Sequence, residues 1–117
     1  MHEITTEELS ILIKKDSSYI LIDVRSEEEV EQGRIPTSCH LPVQLVEEAL
    51  DLDANAFKHL YGFPKPKKSD KIIFYCTSGS RSAIATHIAL EKEYKNAINY
   101  KGSILDWIAN KFKLVKS

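Results

Sequence analysis

Two short runs, YILIDV at 19–24 and KIIFY at 71–75, carry almost no polar alternation. A strand with one wet face alternates apolar and polar residues, whereas a strand covered on both faces reads as a continuous apolar run. Helical patterns follow each run. The alternation predicts an α/β domain with a mainly parallel sheet and helices on both faces. Shorter strands are expected at 39–41 and 97–100. In such sheets, ligands sit beyond the carboxyl ends of the strands.

Local signals place the helices. Thr5 with Glu8, and Ser26 with Glu29, are spaced as capping boxes, which open helices there. The second is expected to run to about Gln32 and stop at Gly33. A loose helical stretch over 44–60 breaks near 51–53. The segment GFPKPKKS at 62–69 reads as loop, with its lysines in solvent. Residues 81–92 form the strongest helix, with Ala83, Ile84, His87, Ile88 and Leu90 as its apolar stripe. Ser103 with Asp106 is expected to cap a last helix bearing Ile104, Leu105, Trp107 and Ile108. Tyr61, Phe63 and Trp107 read as core.

Length suits one domain over 1–117. With 16 basic and 17 acidic residues, bulk charge gives no sign of a nucleic-acid partner. No apolar run is long enough to span a membrane. Two cysteines, Cys39 and Cys76, are too few for a disulfide framework. They do not pair with the histidines at zinc-finger spacing, so no metal is expected. Free thiols suit a reducing compartment. The N-terminal MHEITTEEL reads as neither signal nor transit peptide. The expected location is cytoplasmic, or mitochondrial where a presequence has been removed.

The chemistry is expected in IIFYCTSGSRS at 72–82. The strand delivers Cys76 to its carboxyl end. Thr77, Ser78, Gly79 and Ser80 must then turn sharply into the helix near Arg81. Gly79 permits the backbone angle that such a turn needs. Backbone N–H groups and the helix start form a cradle for an anion and favour a thiolate. Hydroxyls of Thr77, Ser78 and Ser80 add donors, and Arg81 adds a fixed positive charge. A cysteine ending an apolar strand is also, in the plain reading, a small buried hydrophobe.

At these residues the chain resembles the single-domain rhodanese-like sulfurtransferases. YILIDVRSEEEVEQGRIPTSCHLPV resembles the family's strand, Asp-Val-Arg and Ile-Pro stretch. IIFYCTSGSRSAIATHIAL resembles its active-site strand, Cys loop and helix. YKNAINYKGSILDW resembles its closing strand and Trp-bearing helix. AFKHLYGFPKPKKSDKIIFYC looks like single-domain thiosulfate sulfurtransferases, including the type that passes sulfur to glutathione. The resemblance implies a five-stranded parallel sheet. It implies that Cys76 takes sulfur from thiosulfate or a persulfide donor, and passes it to a thiol or to cyanide. It also implies Asp23 and Arg25 as supports near the loop. No metal or organic cofactor is implied. The expected partners are a small-molecule donor and thiol acceptor, with a protein acceptor as a further option, for a chain acting as a monomer.

The family commonly places a basic residue directly after the cysteine; here it is Thr77, which leaves Arg81 as the loop's one positive charge. Lys101-Gly102-Ser103 replaces Gly-Gly before the last helix, and Arg34 stands where relatives have His. Rival readings are a binding or redox-sensing module, with Cys39 as resolving thiol, and a small cysteine phosphatase or arsenate reductase. The last class keeps five residues between Cys and Arg, against four here.

Overall fold

The computed structural model describes residues 1–15 and 18–116. Its centre is a parallel sheet of β1 (His2–Glu3), β2 (Ile20–Asp23), β3 (Cys39–His40), β4 (Ile72–Tyr75) and β5 (Ala97–Asn99). The order across the sheet is β1-β5-β4-β2-β3, and every pairing is parallel. The helices are α1 (Thr6–Lys15), α2 (Glu27–Glu31), α3 (Val46–Leu50), α4 (Ala54–Tyr61), α5 (Ser80–Glu91) and α6 (Ser103–Ala109), with a 3-10 turn at Val43–Leu45.

The apolar runs have the cause assigned to them. Along β4, Ile72, Phe74 and then Cys76 enter one core with Val46, Phe57, Ala85 and Ala89. Ile73 and Tyr75 enter a second core on the opposite face with Leu9, Tyr100, Ile104 and Trp107. Side chains of a strand alternate between faces, so both sets must be apolar when both faces are covered. Phe57 packs against both Tyr61 and Phe63, with its ring centroid 5.1 Å from each.

Both capping boxes form. Thr5 Oγ1 accepts from the Glu8 N–H at 3.1 Å, and the Glu8 carboxylate accepts from the Thr5 N–H at 3.0 Å. Ser26 and Glu29 do the same at the start of α2. The break expected at 51–53 falls between α3 and α4, where Asp53 caps α4 by accepting from the Ala56 N–H at 2.8 Å.

The structure adds one strand and corrects three readings. β1 carried no signal, since it is two exposed residues held by pairing to β5. The stripe expected on α5 holds only in part: Ile88 and Leu90 pack against the core, but Ile84 is 55% exposed, and the fully buried face is Ser82, Ala85, Thr86 and Ala89. Small side chains let a helix lie close to the sheet, so the largest residues fall elsewhere. His87 stands outside, beside Glu91 at 2.8 Å. Lys65 is not simply solvated, because its Nζ donates to the Leu52 carbonyl at 2.7 Å.

At the carboxyl end of β2, Asp23 is fully buried and receives three contacts from the Arg25 side chain, the shortest 2.7 Å, and one from the Arg25 N–H at 3.0 Å. Arg25 also donates to the Gly33 carbonyl at 2.8 Å, tying β2 to the far end of α2. Beside them the Tyr75 hydroxyl accepts from the Ile35 N–H at 3.1 Å and donates to Ser38 Oγ at 3.1 Å. Burial pushes this phenol far above its usual range, so it stays neutral and keeps its proton to donate. Tyr75→Phe is expected to leave the buried Ile35 N–H unpaired and to cost about 1–2 kcal/mol. Urea unfolding checks it; unchanged stability would show that the hydroxyl is dispensable.

Candidate active site

Cys76 follows the last residue of β4, and 1% of it is exposed. Its backbone is held from the α6 side: the Cys76 N–H donates to Ser103 Oγ at 3.1 Å, and the Cys76 carbonyl accepts from the Ile104 N–H at 3.1 Å. The Thr77 carbonyl accepts from the Leu105 N–H at 3.1 Å. The first N–H groups of a helix lack partners within it, and here two of them clamp the loop.

The loop then turns at Gly79, whose φ is +100°. A side chain at this position would also meet the Lys101 carbonyl oxygen at 2.3 Å. Glycine is required twice, by backbone angle and by close approach. The turn aims donors at the sulfur. Sγ accepts from the Gly79 N–H at 3.1 Å and the Ser82 N–H at 3.4 Å, and the thiol donates to Ser82 Oγ at 3.5 Å, a hydroxyl that turns to donate once the sulfur is ionised. Burial alone pushes a thiol up and is the largest single influence. The donors together outweigh it and hold Cys76 below the usual thiol value. Ser103 Oγ lies 3.9 Å from the sulfur, but its proton is committed to the Tyr100 carbonyl at 2.8 Å. One hydroxyl carries one proton, so Ser103 holds the backbone and Ser82 serves the sulfur.

Ser103 was expected as a helix cap. It sits at φ +56°, fully buried, and α6 begins without a side-chain cap. Of residues 77–81, the N–H that reaches Sγ is Gly79's, and its companion belongs to Ser82. Ser78 and Ser80 are exposed at the rim.

Arg81 is not a free charge. Its guanidinium forms a two-pronged pair with Glu29, at 2.7 and 3.0 Å, and donates to Thr77 Oγ1 at 3.0 Å. Thr77 Oγ1 in turn donates to Glu29 at 3.0 Å. Arg81, followed by the Ser26 N–H and the Thr77 hydroxyl, holds the Glu29 carboxyl far below the usual carboxylate range despite partial burial. Glu29 thus serves both the α2 capping box and the loop 52 residues away. Asp23 and Arg25 are joined to each other.

Cys39 does not serve Cys76. It pairs across to Ile22, which pairs to Phe74, so it lies two strands from β4. Two strand spacings are about 9–10 Å, beyond disulfide reach. Both cysteines are free. Among the described residues no cluster of three or more His, Cys, Asp or Glu side chains is placed to hold a metal ion. A cleft of about 660 Å³ opens beside the loop, between Ser78, Lys101, Gly102, Leu105, Asp106 and the start of α1.

The model of the rhodanese-like domain family matches residues 5–110. The chain belongs to that family. A mitochondrial relative of Schizosaccharomyces pombe that carries a thiosulfate sulfurtransferase name is 48% identical over 92 residues, 79% of this chain and just 65% of its own length. The thiosulfate:glutathione sulfurtransferase of Homo sapiens is 40% identical over 89 residues, 75% of this chain and 77% of its own. Among solved structures, the human single-domain sulfurtransferase TSTD1 is 35% identical, covers 93% of this chain and 96% of its own, and superposes with a TM-score of 0.89.

Three residues of this rhodanese-like site were not singled out as its parts from the sequence. Ser82 was legible in principle, because the third residue of a helix presents a free N–H at the helix start. Ser103 and Glu29 had no local signal for their roles. Ser82→Ala is expected to remove one donor from Sγ and raise the thiol's pKa. The thiolate, and with it alkylation by iodoacetamide, would then appear at higher pH, by up to about one unit. An unshifted alkylation profile would show that the two backbone N–H groups suffice.

Proposed function

We propose that the chain is a sulfurtransferase in which Cys76 carries the sulfur. The Cys76 thiolate attacks the outer sulfur of thiosulfate, the S–S bond breaks, and sulfite leaves with the electron pair. The product is a Cys76 persulfide anion. A thiol acceptor such as glutathione, as thiolate, or cyanide then attacks the terminal sulfur and restores the Cys76 thiolate. A persulfide donor enters by the same displacement. These are two half-reactions through a covalent intermediate, with ping-pong kinetics. The observation that carries the reading is the convergence of Gly79 N–H, Ser82 N–H and Ser82 Oγ on Sγ, since donors fixed around a sulfur anion stabilise it without reorganising. Thr77 to Arg81 frame the opening, and Asp23 with Arg25 braces the strand beneath it. No metal or organic cofactor enters these steps.

The single-domain unit over 1–117 is read as a monomer that meets its small substrates at the loop, with a protein acceptor as a further option. Its working compartment is read as the cytoplasm, or the mitochondrion where a presequence has been removed.

Intact-mass spectrometry tests the reading. Brief exposure to thiosulfate is expected to add one sulfur atom, and a following dose of glutathione to remove it. No adduct with thiosulfate or with a polysulfide would overturn it.

A further inference from the structure

The Glu29–Arg81–Thr77 arrangement has a consequence for which sulfur donor the loop accepts. The loop carries one basic residue, Arg81, and Glu29 neutralises it through both carboxylate oxygens at 2.7 and 3.0 Å. The pair is about one-third exposed, at 33% and 35%, so it stands at the mouth rather than in the core. Thr77, which occupies the position after the nucleophile, spends its hydroxyl on the same carboxylate. Deeper in, Asp23 and Arg25 cancel each other at 2.7 Å. On the other side of the loop, Lys101 lines the neighbouring cleft with two carboxylates, Glu3 and Asp106. No positive charge around the loop is therefore left unopposed, and with Cys76 ionised the mouth is net negative.

Resting on the sulfurtransferase reading, we propose that Glu29 is a specificity-determining residue that sets the loop to prefer sulfur donors of low negative charge, namely persulfides, thiosulfonates and neutral polysulfides, over the thiosulfate dianion. A thiolate attacking a dianion brings three negative charges together. A monoanionic donor halves the repulsion from the loop, and a neutral one removes it. The bond chemistry is the same for every donor whose outer sulfur is terminal, the polysulfides meant here being hydropolysulfides: with methanethiosulfonate, the thiolate takes the outer sulfur and methanesulfinate leaves with the electron pair, as sulfite does from thiosulfate. Charge is then the variable that Glu29 controls.

The test compares thiosulfate with methanethiosulfonate, by kcat/KM for the donor, in the parent and in Glu29→Gln. Glutamine keeps a capping-box partner for Ser26 and a hydrogen-bond acceptor for Arg81, but it frees the guanidinium charge. For partly solvated charges the gain is roughly threefold per unit of donor charge, hence about tenfold for thiosulfate and about threefold for methanethiosulfonate. The ratio of the two donors is expected to move about threefold toward thiosulfate. A change in Cys76 ionisation, or a general loosening of the loop, alters both donors alike and cancels in that ratio. An unchanged ratio, or one that moves toward methanethiosulfonate, would overturn the proposal.

A second measurement needs no variant. In the parent, kcat/KM for thiosulfate is expected to rise with ionic strength, because salt screens repulsion between like charges. A fall would mean a net positive mouth and would overturn the proposal. Intact mass distinguishes this from failure of the underlying reading: a Cys76 persulfide with an unmoved ratio removes only the selectivity role, and no persulfide with either donor removes both.

Discussion

Replacing Cys76 with serine is expected to abolish sulfur transfer to glutathione and to cyanide, and to leave the fold intact. The chemistry gives no partial outcome. A serine hydroxyl is not ionised near neutral pH, and oxygen cannot hold the transferred sulfur as a persulfide. The donors at Gly79 and Ser82 are arranged for a sulfur anion 3.1–3.5 Å away, and a shorter, neutral hydroxyl uses them poorly. Stability is expected to stay within about 1–2 kcal/mol of the parent, because the substitution removes little volume and the backbone clamps at Cys76 are main-chain groups. Steady-state transfer with thermal unfolding on the same sample checks both halves. Turnover near that of the parent in a folded variant would mean that another group carries the sulfur.

What the sequence disclosed, and what it withheld, divides by the range of the interaction responsible. The covered faces of β2 and β4 were legible because burial on both sides acts on every residue of a short run, from Ile20 to Val24 and from Ile72 to Tyr75. The capping boxes were legible because Thr5 and Glu8, like Ser26 and Glu29, are partners three residues apart. The loop was legible because Gly79 stands between a strand and a helix that both announce themselves. By contrast, the helix after the loop misled. Its amphipathic pattern assumes that the largest apolar residues face the sheet, whereas Ala85 and Ala89 do so and Ile84 does not. Close packing chose small volume over hydrophobicity. Ser103 and Glu29 were unreadable as site residues for another reason: each had a local explanation, as a cap, that concealed a contact with the loop. Ser103 gave up the local role for the distant one, while Glu29 fills both. The family resemblance supplied the fifth strand, which two exposed residues at His2 and Glu3 do not advertise.

Gly79→Ala is expected to damage both stability and transfer. The position demands φ near +100°, a conformation that costs a residue with a Cβ roughly 1–2 kcal/mol. That cost is the smaller part. The new methyl would stand 2.3 Å from the Lys101 carbonyl oxygen, a backbone atom that cannot swing away like a side-chain tip. Either the 101–103 turn or the loop must retreat. Lys101 leads through Gly102 into Ser103, whose hydroxyl receives the Cys76 N–H, and on to Ile104 and Leu105, whose N–H groups clamp the loop carbonyls. Retreat on that side releases the clamp. Retreat of the loop withdraws the Gly79 N–H from Sγ. Together the strain and overpacking are expected to cost about 2–5 kcal/mol. Surviving folded protein should ionise Cys76 at higher pH and form the persulfide at least roughly tenfold more slowly, since a fixed donor at a developing charge is worth that much or more. Urea unfolding measures the first effect, and the pH dependence of alkylation with the rate of sulfur uptake measures the second. A stable variant with an unshifted thiol would show that the 101–103 turn gives way freely, and that the Gly79 amide is not what holds the sulfur anion.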